Sequence, residues 1–244
     1  THIGAVFLLF GILILYSKTG TADILALKSL IPGLDIGIVR LTALMFIIGF
    51  AVKMAIFPLH SWLPETYANA PIPATIIISA VMMNAPIYAI IRFFFALLPM
   101  QSIIPYVYLM LVFAVVSQFY GAIMAMVEKN IKKIIAYSSI SQMGYVLFGI
   151  ATLTILGVSG SAFHMVNHTI IKALLFMSVG AVYYATSTYD IKRLGGLAST
   201  IPLVALGGAV GGLAISGVPM FGAFQSEWLI FAGGFKTGFI ILAS

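Results

Sequence analysis

The feature that most constrains the fold is the length of the uncharged stretches. Residues 134–171 contain no Asp, Glu, Lys or Arg, and short loops separate the other apolar runs. About 20 continuous apolar residues make one helical crossing of a bilayer, whereas strands of a membrane barrel alternate with a period of two. The chain is 62% hydrophobic and 7% charged, against roughly 25% charged in soluble domains. The sequence therefore predicts an all-α integral membrane protein.

The length of 244 residues has room for seven or eight spans. The predicted spans are residues 2–17, 39–58 with a broken half reaching 66, 70–98, 104–126, 134–153 and 161–186. A turn at the glycines 157–160 would separate the last two of these. A glycine-rich span from residue 201 is interrupted at 216–222, and the residues up to Ser244 would begin another. The connector 18–37 contains a short interfacial helix that Thr21 or Asp23 would cap.

The distribution of basic residues predicts an orientation. Loops 128–133 and 190–193 are basic and two spans lie between them, so both are expected on one side of the membrane. The positive-inside rule makes that side the cytoplasm or the mitochondrial matrix. Lys18 and Lys28 fall on the other side and oppose this assignment. The protein is expected in a prokaryotic cell membrane or the mitochondrial inner membrane.

The sequence lacks the features that are typical of several function classes. The chain has no cysteine, hence no disulfide and no cysteine metal site. The net charge of +6 comes without the basic, aromatic-interleaved stripe of a nucleic-acid surface. No nucleophile–base set or cofactor loop is visible, so we expect neither intrinsic catalysis nor a bound cofactor or metal. The chain opens without a Met or a basic leader segment, so no signal peptide is visible and a piece of a longer protein is expected.

Lys53 is the first candidate functional residue. It lies well inside an apolar span that is interrupted by Pro58 and followed by His60. Proline breaks or kinks a helix, and an ionisable side chain within a membrane span marks a functional site by default. The alternative is a lysine whose aliphatic stem reaches up to the interface.

His164, His168 and Lys172 form the second candidate. Their i, i+4, i+8 spacing stacks them on one face of a helix, roughly 6 Å apart per step. Two imidazoles and an amine in such a column are spaced for proton transfer through intervening water. A zinc helix shares the His-x3-His spacing, but Met165 replaces the glutamate of a zinc protease. Polar residues that simply join helices are the other alternative.

The third candidate is Glu227, in a span broken around Pro219. A carboxylate within hydrocarbon needs a cation or water, unless Glu227 lies at the interface beside Trp228. The fourth is a polar cluster that could hydrate a channel or bond neighbouring helices: Tyr137, Ser138, Ser139, Ser141 and Gln142. Two proline-broken spans, each with an ionisable residue and a tryptophan, also hint at structural repeats.

Four segments together resemble a known family. They are FAVKMAIFPLHSWLPETYANAPIPAT, KNIKKIIAYSSISQMGY, HMVNHTIIKALLFMSVG and DIKRLGGL. In order and spacing they resemble the antiporter-like subunits of respiratory complex I, Mrp-type cation/proton antiporters and membrane-bound hydrogenases. This resemblance implies a larger bundle built on two inverted repeats, each with one broken helix. Residues 1–103 would belong to the first repeat and residues 104–244 to the second.

The resemblance also implies roles for individual residues. Lys53 matches the lysine of the first broken helix, the His164–Lys172 column the central relay, and Glu227 the terminal charge of the second broken helix. Two departures follow. Ser79 and Asn84 stand where the family carries a histidine or lysine, and the carboxylate partner of the family's lysine lies on a helix before Thr1.

The sequence thus predicts a proton- or Na⁺/H⁺-translocating subunit of a multisubunit membrane complex. Its partners would be lipid and other membrane subunits, including neighbouring antiporter-like ones, and not nucleic acid. The proton path would use the ionisable residues above, supported by polar or hinge residues: Pro58, His60, Asn84, Ser138, Ser141, Gln142 and Pro219. A non-conducting structural subunit is the alternative, because Ser79 and Asn84 cannot carry a proton. A solute transporter is a further one, although no cluster for recognising an organic ligand is visible.

Overall fold

A computed structural model describes residues 1–238, and this part of the chain is helical and contains no strand. The helices are α1 (His2–Thr19), α2 (Ile24–Leu30), α3 (Ile36–Lys53), α4 (Trp62–Asn69), α5 (Ile72–Ile77), α6 (Ala85–Ile91), α7 (Met100–Ile103), α8 (Val107–Val127), α9 (Ile131–Ala151), α10 (Ile155–Thr186), α11 (Leu197–Thr200), α12 (Pro202–Ile215) and α13 (Gly222–Lys236). Short 3₁₀ or π-helical turns connect several of these helices.

Six segments are long and apolar enough to cross a membrane. They are His2–Thr19, Ile36–Lys53, Ile72–Leu97, Met100–Val127, Ile131–Ala151 and Ile155–Thr186. The shorter helices α12 and α13 are separated by residues 216–221 and make up the second broken helix. The prediction of an all-α membrane bundle with two broken helices is therefore confirmed. The predicted eighth span falls largely on residues 239–244, outside the described part.

Side-chain caps fix where several helices begin. Asp23 accepts a hydrogen bond from the N–H of Leu25, so the predicted interfacial helix is α2 and Asp23 is its cap. Asp35 and Asn130 cap α3 and α9 in the same way. Each cap satisfies a backbone N–H that the first helical turn leaves without a partner.

Two predicted boundaries are wrong. The break assigned to Pro58 comes earlier, because α3 ends at Lys53 and Pro58 lies in the irregular segment that follows. The turn assigned to 157–160 is inside α10, and the real turn is at residues 152–154. Gly157 and Gly160 serve close packing instead: a methyl group on Gly160 would meet the backbone nitrogen of Ile230 at 2.8 Å. Small residues that let helices approach are common in membrane bundles.

The span 72–97 is less regular than expected. It contains two π-helical stretches, Ile78–Met82 and Arg92–Leu97, on either side of α6. Asn84 follows the first of these and precedes Pro86. Single π-helical turns inside α-helices occur frequently at functional sites, so this stretch bears on the site below.

Helix α9 lies at the centre of the bundle. It is the most buried of the six spans and α1 is the least buried. It packs against α8, α10, α4 and α13. Through these contacts α9 joins the first broken helix to the second.

The contact between α8 and α9 should be sensitive to side-chain size. A methyl group on Gly121 would meet the backbone nitrogen of Ser141 at 2.5 Å and the carbonyl of Tyr137 at 2.7 Å. Because backbone cannot move aside cheaply, Gly121→Ala should lower the free energy of unfolding in detergent by about 1–3 kcal/mol and the melting temperature with it. Gly212→Ala is the matched control, since nothing lies within 4 Å of its position. Equal melting of both variants and the parent would contradict this packing.

Candidate functional site

The first break in a helix is stabilised by side chains from other elements. The Trp62 indole N–H donates to the carbonyl of Val52 in the last turn of α3, at 2.9 Å. The backbone N–H of Phe57 donates to Ser117 Oγ on α8, also at 2.9 Å. Ala55 has a φ of 54°, which is costly for a residue other than glycine. The break is thus a defined part of the fold, in which backbone groups freed from the helix find partners.

Lys53 ends α3 immediately before this break. Its side chain is partly buried and makes no hydrogen bond or ion pair with the residues that the structure describes. His60 is buried on the other side of the break, with its ring 4.5 Å from that of Tyr120, and its Nδ1 has no partner in this part of the chain. Pro58 is exposed.

The predicted column on α10 is buried inside the bundle. His164 and His168 are each 1% exposed and Lys172 is fully buried. The Lys172 ammonium donates to the carbonyl of Ile135 at 2.9 Å and to Ser138 Oγ at 2.8 Å, both on α9. The ring centroids of the two histidines are 6.4 Å apart. One face of α10 therefore carries three ionisable groups in a row through the centre of the protein.

The ring nitrogens of the column are only partly satisfied by protein atoms. His164 Nδ1 hydrogen-bonds Ser226 Oγ on α13 at 2.9 Å. His164 Nε2 and both ring nitrogens of His168 are buried without a partner in the described residues. Buried polar atoms of this kind are normally satisfied by ordered water. The arrangement is chemically suited to imidazoles that exchange protons with water.

The second break brings Glu227 to the bundle. Gly217 lies between α12 and α13 with a φ of 67°, and the Glu227 carboxylate lies directly over it, in the place that a Cβ would take. Glu227 also interacts with Gln142 of α9, whose amide donates to the carbonyl of Ile215 at 3.2 Å. Glu227 is partly buried and Pro219 is exposed. Trp228 is 63% exposed and points away from the bundle.

The remaining predicted polar residues have varied partners. Ser138 belongs to the Lys172 site, and Ser141 donates to the carbonyl of Gln118 on α8 at 3.0 Å. The Asn84 amide donates to Thr169 Oγ1 on α10 at 2.8 Å and to the carbonyl of Ala80 at 2.9 Å. Its Oδ1 is buried and lacks a partner among the described residues.

The structure thus brings some of the predicted residues together and not others. His164, His168 and Lys172 are adjacent, and α13 carries both Glu227 and the serine that binds His164. No hydrogen bond or ion pair within residues 1–238 joins Lys53 to the column.

Sequence reasoning missed four polar residues of this region: Tyr67, Lys132, Thr169 and Ser226. Ser226 precedes Glu227, and Thr169 follows His168. Polar neighbours of ionisable residues were therefore the signal available for these two.

Lys132 is a second fully buried lysine, in the first turn of α9. It is 1% exposed, and its ammonium donates to the carbonyls of Ala68 at 3.1 Å and Ala70 at 2.6 Å, at the end of α4. It also lies 5.0 Å from the centroid of the Tyr189 ring. The neighbouring Lys133 pairs with Glu65 of α4 at 2.7 Å. Two lysines of α9 therefore hold the second half of the first broken helix.

The two basic loops lie against each other at this end of the bundle. Asn130 and Asp190 form an isolated antiparallel bridge. In the same loop the Glu128 carboxylate accepts hydrogen bonds from the backbone N–H groups of Asn130 and Lys129, which lowers its pKa. The two basic loops therefore lie next to each other at one end of the bundle.

Comparison with known proteins shows which family this chain matches. The family described as "NADH:quinone oxidoreductase/Mrp antiporter, TM" matches residues 1–244. NADH-quinone oxidoreductase subunit M of Rickettsia typhi is 32% identical over 242 residues, which cover 98% of this chain and 48% of that protein. Hydrogenase-4 component B of Escherichia coli is 32% identical over 240 residues, or 93% of this chain and 35% of the relative.

A solved structure agrees. A chain of the Mrp complex from Dietzia sp. DQ12-45-1b matches 98% of this chain and 44% of its own length, with a TM-score of 0.89 and 28% identity. The chain spans about half, or less, of the length of the proteins it matches. The resemblance seen in the four sequence segments is confirmed, and the chain belongs to the NADH:quinone oxidoreductase/Mrp antiporter family of membrane proteins.

Proposed function

We propose that this chain is part of a subunit that moves protons, or exchanges Na⁺ for protons, across a membrane within a multisubunit complex. The observation that carries the proposal is the column of His164, His168 and Lys172, buried at the centre of the bundle and rich in ring nitrogens without protein partners. Ionisable groups are costly in this environment, and those found inside membrane spans usually mark ion or proton pathways.

Each ionisable group has a distinct part in this proposal. Lys53, at the end of α3 and beside an irregular backbone segment, would gain and lose a proton. The column would pass the proton through the middle of the bundle. Glu227, which α13 holds over Gly217, would release it or transmit charge to a neighbouring subunit.

The energies involved are compatible with such a cycle. Moving one charge through 100 mV is worth about 2.3 kcal/mol. A pKa change of one unit corresponds to about 1.4 kcal/mol. A rearrangement of charge pairs that alters one pKa by about two units is therefore enough to drive a proton across.

The division into repeats, the orientation and the partners are part of the same proposal. Residues 1–103 and 104–244 would be the two repeat segments. Loops 128–133 and 190–193 would face the cytoplasm or matrix, because they carry the basic residues. The exposed apolar faces, such as that of α1, would contact lipid or other membrane subunits, as in the multisubunit Mrp complex that the chain resembles.

Replacement of Lys53 tests the function. In the full-length subunit within its purified complex, Lys53→Ala should reduce proton translocation at least about tenfold, since a proton-exchanging group is lost. The measurement is the change of internal pH in liposomes while the complex turns over. Lys28→Ala, an exposed lysine on α2, is the matched control and should leave the signal unchanged.

One observation favours the second candidate function, a structural subunit that does not conduct. Asn84 is tied by its amide to Thr169 and Ala80, and neither it nor Ser79 can hold a proton. This candidate predicts that Lys53→Ala translocates protons as well as the parent does. That result would overturn the proposed function.

A further inference from the structure

At Ser79 and Asn84 the third span offers no ionisable side chain between the first broken helix and the column. Ser79 is fully buried and donates to the carbonyl of Ile76 in its own helix. Asn84 lies with Thr169 beneath a groove of about 360 Å³ at the surface of the bundle. The groove is also lined by Val81 and Ile170, which are 62% and 63% exposed. A path that starts from the broken helix therefore needs another group.

Tyr67 supplies a hydroxyl in this place. It belongs to α4, the second half of the first broken helix, and its side chain is fully buried. Its hydroxyl donates to Met83 Sδ at 3.1 Å and lies near the hydroxyls of Ser139 and Ser79. The ring packs edge-on against Phe176 of α10 with centroids 5.1 Å apart. The phenol thus lies where α4, α9, α10 and the third span meet.

The contacts of Tyr67 continue to Lys172. Ser139 Oγ donates to the carbonyl of Ile135 at 3.0 Å, and the Lys172 ammonium donates to the same carbonyl at 2.9 Å. Sharing one acceptor places the serine oxygen and the lysine nitrogen at most about 6 Å apart, a gap that one water spans with two hydrogen bonds. Ser139, which lies near the phenol, and Lys172 therefore meet at one carbonyl, that of Ile135.

We propose that the hydroxyls of Tyr67 and Ser139 carry protons between the first broken helix and Lys172, in place of a titratable group at Asn84. This inference rests on the proposed function. In each step a hydroxyl oxygen accepts one proton and releases the proton it held to the next oxygen or to the lysine amine. The phenol, the serine and the bridging water stay neutral. The group at the start of the path loses one proton, and Lys172, whose amine is neutral before the step, gains one.

The test uses the full-length subunit in its purified complex, reconstituted in liposomes. Tyr67→Phe keeps the ring that packs on Phe176 and removes only the hydroxyl. We expect translocation to fall roughly tenfold or more, with an unchanged melting temperature. Tyr184→Phe, at a tyrosine that is 93% exposed, is the control and should behave like the parent.

A second measurement separates proton transfer from packing. Placing 3,5-difluorotyrosine at position 67 keeps the hydroxyl and makes it more acidic. If the hydroxyl carries the proton, the pH profile of translocation should shift towards lower pH, whereas a packing role leaves the profile in place. This variant also decides the question if Tyr67→Phe does not assemble.

The outcomes distinguish this inference from the function on which it rests. If Lys53→Ala abolishes translocation but Tyr67→Phe and the fluorinated tyrosine match the parent, the function stands and the role of Tyr67 is overturned. If Lys53→Ala itself translocates normally, the proposed function fails first. Loss in Tyr67→Phe together with a shifted profile supports the inference.

Discussion

Lys172→Met should abolish proton translocation without making the protein less stable. The lysine is fully buried, and its ammonium is bonded to a carbonyl and a hydroxyl but to no acid among the described residues. Burying a charge without a counter-ion is costly, so an apolar side chain of similar length removes that cost. If Lys172 carries the proton, function and stability should therefore change independently.

Both quantities can be measured on one preparation of the full-length subunit in its complex. Proton translocation in liposomes should fall at least about a hundredfold, because a relay through the column has no substitute for the amine. The melting temperature in detergent should equal or exceed that of the parent. A variant that pumps normally would show that the column is not the path. A variant that melts much earlier would show that Lys172 is a structural residue.

The fold was predictable because membrane helices leave strong signals in sequence. The absence of charge over residues 134–171 sets α9 and α10, and the interruption at 216–222 sets the break between α12 and α13. The errors arose where tertiary contacts override local preference. Pro58 does not end α3. The helix stops at Lys53, where the Trp62 indole donates a hydrogen bond to a backbone carbonyl that the helix leaves without a partner.

The glycines at 157–160 show the same limit. Sequence reasoning treats clustered glycines as a turn. Here they allow α10 to approach the backbone of α13. A turn and a close helix contact both require glycine, so the local sequence cannot distinguish them. The π-helical stretch before Asn84 likewise has no simple sequence signal.

The ionisable residues of the candidate site were predictable from the sequence, but their hydrogen-bond partners were not. Helical spacing alone places His164, His168 and Lys172 on one face, and the structure keeps them there. The hydroxyl of Ser226, which binds His164, comes from a helix far away in the chain. Tyr67 has no charge and no repeating spacing, so only the packed structure shows that its hydroxyl lies close to the column.

Lys132→Met should have the opposite effect to Lys172→Met and destabilise the protein. Lys132 donates to the carbonyls of Ala68 and Ala70, at the end of α4, where the following residue is Pro71 and has no N–H to offer. Methionine would remove this donor from both carbonyls in a partly buried place, and Ala70 would keep only the longer bond from Thr75 Oγ1, at 3.4 Å. Two charge-assisted hydrogen bonds contribute about 1.5–3 kcal/mol each, so the free energy of unfolding should fall by roughly 3 kcal/mol or more.

The two buried lysines differ because of what their removal leaves behind. When Lys172 is replaced, the carbonyl of Ile135 still accepts a hydrogen bond from the Ser139 hydroxyl. When Lys132 is replaced, the carbonyls at the end of α4 lose their main hydrogen-bond donor. Lys133→Met, which breaks the exposed pair with Glu65, is the matched control and should cost less than about 1 kcal/mol. Thermal unfolding of the three lysine variants in one detergent measures the order directly. If Lys132→Met melts with the parent, α4 is held by apolar packing, and the lysines of α9 do not fix the first broken helix.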